Sequence, residues 1–187
     1  MLSRCIAIVS LFIFAGSACS SEFDATISAI KAKDDRNAGI DFSLSRQSES
    51  LEFDLISIGT DKSSMDVFRV LLHTAAETQD SHFNEVILAF KGDRRFRLGG
   101  EDFQKMGAEF GTQNPMYTLR TFPEKLKTVE GQSAFPQRSG GLLYLARVQM
   151  EDFSAFIEQW YFADLKAAYE AELEEGLPDS YDDDDAL

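Results

Sequence analysis

Both cysteines of this 187-residue chain, Cys5 and Cys19, fall within its first nineteen residues. Everything after them must fold without an internal disulfide, so stability has to come from packing rather than from bridges. Sixteen phenylalanines serve that need, and only Phe12 and Phe14 precede Cys19. Aromatic volume spread over every later element suits a core of this kind. A body of about 150 residues buries some two thirds of its unfolded surface, which is enough for one domain.

The first residues have the three-part layout of a secretory signal peptide. Arg4 supplies a positive start, residues 5–15 form an apolar run broken only by Ser10, and Gly16, Ser17 and Ala18 are small. An apolar run of this length is short of the roughly 20 residues a membrane-spanning helix needs. No positive stop-transfer cluster follows it, so cleavage is predicted.

Ser17, Ala18 and Cys19, followed by the polar Ser20, Ser21 and Glu22, resemble the cleavage region of a bacterial lipoprotein precursor. The resemblance covers the leader alone. It implies cleavage before Cys19, a diacylglyceryl group on that sulfur, and a membrane anchor through the lipid. Ser20 in the second mature position resembles outer-membrane lipoproteins, which implies a protein facing the periplasm. Gly16 departs from the family pattern, which has Leu, Val or Ile three residues before the cysteine. The other reading is ordinary cleavage after the small pair Gly16 and Ala18, which leaves a soluble periplasmic or secreted protein.

Charge is lopsided, with 18 Lys plus Arg against 32 Asp plus Glu and a net charge of -14. Such a surface repels phosphate backbones, so nucleic acid is not an expected partner. Much of the acid lies at the end, where Glu170, Glu172, Glu174 and Glu175 precede Asp179 and the run 182–185. The division predicted is a signal peptide (1–18), an N-terminal tether (19–37), a single domain (38–176) and a disordered acidic tail (177–187).

Within that domain, Ile40, Phe42 and Leu44 alternate with polar residues, as do Leu51, Phe53 and Leu55 running on into Ile56 and Ile58. The polar stretch between them predicts a hairpin. Ser63 stands three residues before Asp66 in capping-box register. It opens a helix whose apolar stripe is Phe68, Leu71, Leu72 and Ala75 and which ends near Thr78. A strand over 86–90, a two-residue turn at Gly92 and Asp93 of type II′, and a strand with Phe96 and Leu98 on one face form a second hairpin. Glu101 and Asp102 then start a helix with Phe103, Met106 and Phe110 on its buried side. Residues 114–136 read as a loop with one or two short helices. A last strand is predicted over 142–148, feeding a long helix from about Glu151 to Gly176. The fold class is therefore α+β: a mainly antiparallel sheet of about five strands with helices packed on one face.

Catalytic and metal signals are sparse. Gly131, Gln132 and Ser133 begin a nucleophile-elbow pattern that fails at Phe135 and follows no predicted strand. His73 lies between Arg69 and Glu77, four residues from each, where solvated ion pairing is expected. His82 is placed in a surface loop. No Cys and His cluster exists, and the run 182–185 lacks the spaced acids and turn glycine of a calcium loop. Neither catalytic residues, nor a metal site, nor a cofactor is implied.

Against the acidic background, Lys91, Arg94, Arg95 and Arg97 place four cations in seven residues. One reading is a docking patch for an anionic partner, either a lipid headgroup or an acidic envelope protein. The other is that the charges protect an exposed edge strand from unwanted pairing. Two functions follow. The first is an exported, lipid-anchored envelope protein that acts by binding a partner rather than by catalysis. The second is an exported small-ligand binder or hydrolase that uses residues 114–136, which carry Tyr117, Phe122, Pro123, Phe135 and Pro136.

Overall fold

A computed structural model describes residues 22–176 of the chain. The leader, Cys19 and the acidic tail lie outside the described residues. Five strands form one sheet in the order β1 to β5: β1 (Ile40–Gln47), β2 (Ser50–Ile58), β3 (Glu85–Phe90), β4 (Asp93–Gly99) and β5 (Leu126–Thr128). All neighbours are antiparallel except β2 and β3. That parallel pair exists because α2 (Ser64–Glu77) carries the chain back across the sheet between the two hairpins, the crossover a parallel pair requires. The fold is α+β, with its helices gathered on one face.

Period-two alternation sets that face. Phe42, Leu44, Phe53, Leu55, Leu88, Phe96 and Leu98 point inward and are buried, while Ser43 and Ser45 are exposed. Helix α2 starts as its sequence predicts. The Ser63 hydroxyl accepts from the Asp66 amide and the Asp66 carboxylate accepts from the Ser63 amide. After α2 come α3 (Gly100–Glu109), α4 (Pro115–Thr121), α5 (Leu142–Ile157) and α6 (Ala163–Gly176), the last two joined by a π-helical turn, Glu158–Phe162. Phenylalanines bind the layers. Phe68 of α2 meets Phe122 and Phe153 at 5.1 and 5.4 Å, and Phe156 of α5 lies 5.5 Å from Phe96 of β4.

Four expectations change. Residues 142–148 are the start of α5, not a strand, and the fifth strand is the short β5. The hairpin turn is Lys91 and Gly92, with φ of 51° and 83°, between paired Phe90 and Asp93. Two positive φ values in a two-residue turn match type I′ rather than II′ and explain the glycine. The stretch 19–37 is not a bare tether over its described part. It holds helix α1 (Asp24–Lys33), whose Ile30 is fully buried in the common core. His73 is buried, not solvated.

Candidate functional site

The three arginines of the basic hairpin are already neutralised by the fold. Arg94 reaches over β3 to Glu52 of β2 at 2.6 Å and donates to the Gln47 side-chain oxygen of β1 at 2.6 Å. Arg97 lies 3.6 Å from Glu85. A register shift between Leu88 and Ala89 leaves Arg95 in a bulge of β4, and from there it pairs with Asp93 at 3.0 Å and Asp164 of α6 at 2.6 Å. Ile87 and Ala89, the cross-strand partners of Arg97 and Arg94, are buried. Over Phe96, Arg97 and Leu98 the strand is also paired with β5, so β4 is no open edge there. Lys91 differs from the three arginines. It sits at the turn with no ion pair among the described residues, its ammonium 5.3 Å from the centre of the Phe90 ring.

Lys91 instead lines a cleft of about 710 Å³. One wall is the β2–α2 connection, Gly59 to Ser64, and the other runs along α5, the π turn and α6 from Phe153 to Glu172. Lys62, held to Asp61 at 2.9 Å, brings a second ammonium to the same side. The far wall is apolar, formed by Ile157, Phe162, Leu165, Ala168 and Tyr169.

The π turn contributes Glu158, Tyr161 and Phe162 to this cleft. Within the turn Trp160 and Tyr161 are both buried, 0% and 3% exposed. Trp160 stacks on Phe156 and donates its indole N–H to the Ala89 carbonyl. Tyr161 packs its ring against Trp160 and Phe90. Its hydroxyl has no hydrogen-bond partner among the described residues, and the residue lines the cleft. Burial pushes the phenol well above its ordinary range, so it is a neutral donor. Wide turns of this kind recur at functional sites. Neither Tyr161 nor the π turn was visible in the sequence, where the helical pattern simply continues.

A second cleft, of about 660 Å³, adjoins residues 114–136 and is lined by Lys105, Glu109, Tyr117, Arg120, Glu124 and Lys125 among others. Lys105 and Lys125 are paired with Glu109 and Asp102, and Glu124 accepts from Gln149. Arg120 has no ion pair among the described residues, and its Nε is buried without a hydrogen bond.

The remaining candidates have structural roles. Ser133 donates to the Phe135 carbonyl in the turn after β5. His82 meets the Gln104 side chain at 3.2 Å on the surface. His73 packs edge-on against Phe110, 4.8 Å between ring centres, while Arg69 turns to Asp66 and Glu77 to Lys33. Burial lowers its pKa. Among the described residues no group of three or more His, Cys, Asp or Glu is placed to hold a metal, and no helix is long and apolar enough to cross a membrane. Compared with known proteins, the chain matches no family model, no curated protein and no solved structure.

Proposed function

We propose that this is an exported protein of the cell envelope, anchored through a lipid on Cys19 and facing the periplasm from the outer membrane, that acts by binding rather than by catalysis. The single observation that carries the binding half is the cleft beside α2. There an uncommitted donor, the Tyr161 hydroxyl, and an unpaired cation, Lys91, share an opening with a broad apolar wall. Concave, mostly apolar sites with a few converging polar groups are the usual form of a ligand site. The anchoring half rests on the residues around Cys19.

The test of anchoring is the mass of the N-terminal peptide from natively expressed protein extracted from membranes. A diacylglyceryl cysteine at position 19 is expected. An unmodified terminus cut near Ala18 overturns the anchor and leaves a soluble exported protein.

A second reading, a small-ligand binder or hydrolase built on residues 114–136, has one observation in its favour. Arg120 offers an unpaired guanidinium to its cleft, a fork suited to a carboxylate or phosphate. Arg120→Ala separates the two, since it weakens anion binding only if that cleft is the site.

A further inference from the structure

We infer that the cleft beside α2 holds a carboxylate amphiphile with a single alkyl chain, its head between Lys91 and Tyr161 and its chain along α6. The inference rests on reading the protein as a binding protein and adds the ligand class.

The head position follows from what is left unpaired. In a chain of net charge -14 most cations have carboxylate partners, yet the Lys91 ammonium has none among the described residues. The Tyr161 side chain is held in place by its buried ring and lines the cleft, and its hydroxyl has no acceptor among the described residues. A carboxylate satisfies both at once, by a charge-assisted bond from the phenol and an ion pair with the lysine. Lys62 on the same side is paired with Asp61 and adds little net charge, while the Ser64 hydroxyl at the start of α2, without a hydrogen bond among the described residues, is a further donor. Glu158 and Glu172 also line the cleft, but both are exposed and remain hydrated.

The chain position follows from α6. Phe162, Leu165, Tyr169 and Leu173 lie at spacings of three and four along it and form one stripe. Phe162 is 49% exposed, Tyr169 62% and Leu173 52%. The first three of the stripe line the cleft. Burying a methylene against such a wall stabilises binding by a fixed increment, so affinity should rise with chain length. The cleft volume lies within the range that encloses a ligand of this size.

Trp160 supplies the readout. It is the chain's only tryptophan and its ring lies 5.5 Å from that of Tyr161. The mature chain without its lipid retains every described residue and needs no detergent, which would compete. It is titrated with laurate below micelle-forming concentrations, and in parallel with dodecylamine, which keeps the chain and reverses the head charge, and with acetate, which keeps the head alone. Saturable laurate binding is expected, with the other two at least tenfold weaker. Tyr161→Phe and Lys91→Ala should each weaken laurate about tenfold while leaving the thermal midpoint close to that of the parent.

Equal binding of laurate and dodecylamine, or laurate binding unchanged in both variants, overturns the assignment of the head while leaving a binding protein. No saturable signal with any probe overturns the use of this cleft altogether. A response that scales with protein concentration, with dimers in sedimentation, overturns the proposal in favour of a second copy seated on the α6 stripe.

Discussion

The indole N–H of Trp160 donates to the backbone carbonyl of Ala89 at 3.0 Å, across 71 residues of sequence. The bond joins the π turn to β3 at the register shift that also displaces Arg95. Phe53 and Phe156 pack on the same indole, with ring centres 6.0 and 5.2 Å away. Trp160→Phe keeps an aromatic ring but leaves a buried carbonyl unpaired and a void beside it. Destabilisation of about 2–3 kcal/mol is expected from the two effects together. Urea unfolding followed by far-ultraviolet circular dichroism checks it, and a loss below about 1 kcal/mol would show that the carbonyl finds another donor.

His73 gives the fold a dependence on pH. Burial is the main reason its pKa is lowered; Asp34 raises it, Lys33 and Arg69 lower it, and Glu77 raises it. Folding therefore favours the neutral imidazole. Its contribution to stability is fully present above the unfolded value of about 6.5 and is lost as pH falls through the folded pKa, because the unfolded chain takes the proton first. His73→Leu removes this source of slope. Denaturation midpoints measured from pH 7.5 to 5 should fall less steeply in the variant than in the parent. Parallel curves would mean that the ring is protonated in place.

The capping box at α2 is a second separable contribution. Burial raises the Asp66 pKa, but the Ser63 hydroxyl and amide and the Arg69 guanidinium outweigh it and hold the carboxyl at about 2. Ser63→Ala should cost about 1 kcal/mol at neutral pH. The Asp66 share is present above the ordinary carboxylate value of 3.8 and is lost as pH falls toward 2. Asp66→Asn should accordingly flatten the acid limb of the stability profile below pH 4. A variant that follows the parent through that range would remove Asp66 as its cause.

Much of the fold is legible in residue order because local signals agree with the tertiary answer. The alternation of Ile40, Phe42 and Leu44, and of Leu51, Phe53 and Leu55, marks faces that the sheet does bury. Residues 142–148 fail for the opposite reason. A short apolar run does not distinguish strand from helix, and here Leu142 and Leu143, 76% and 87% exposed, are the free first turn of α5. Strand β5 has three residues and depends on pairing with β4 rather than on its own pattern. His73 does lie between Arg69 and Glu77, but Phe110 from outside α2 covers it. The cleft was hidden because its two uncommitted groups come from unlike signals. Lys91 is submerged in a cluster of arginines, and Tyr161 lies in the π turn, which the sequence pattern does not mark.

The arginines beside Lys91 make a final test of what a cluster of cations means. Arg94, Arg95 and Arg97 each lie within 3.6 Å of a carboxylate, so their charge is cancelled at short range before any partner arrives. Replacing all three with Ser in a protein spanning residues 20–187 should leave recovery on anionic vesicles at low salt unchanged. A clear loss would show instead that the pairs open to a headgroup. The informative companion is Glu52→Gln. The Glu52 side chain is 14% exposed and that of Arg94 40%, and neutralising Glu52 releases Arg94 without removing its stem, at a stability cost of about 1 kcal/mol because the arginine can turn to water. Vesicle recovery should rise in this variant and return to the parent level in Glu52→Gln combined with Arg94→Ser. That pattern identifies the cation that Glu52 holds, and the absence of any rise would mean that Gln47 alone is enough to keep Arg94 on the sheet.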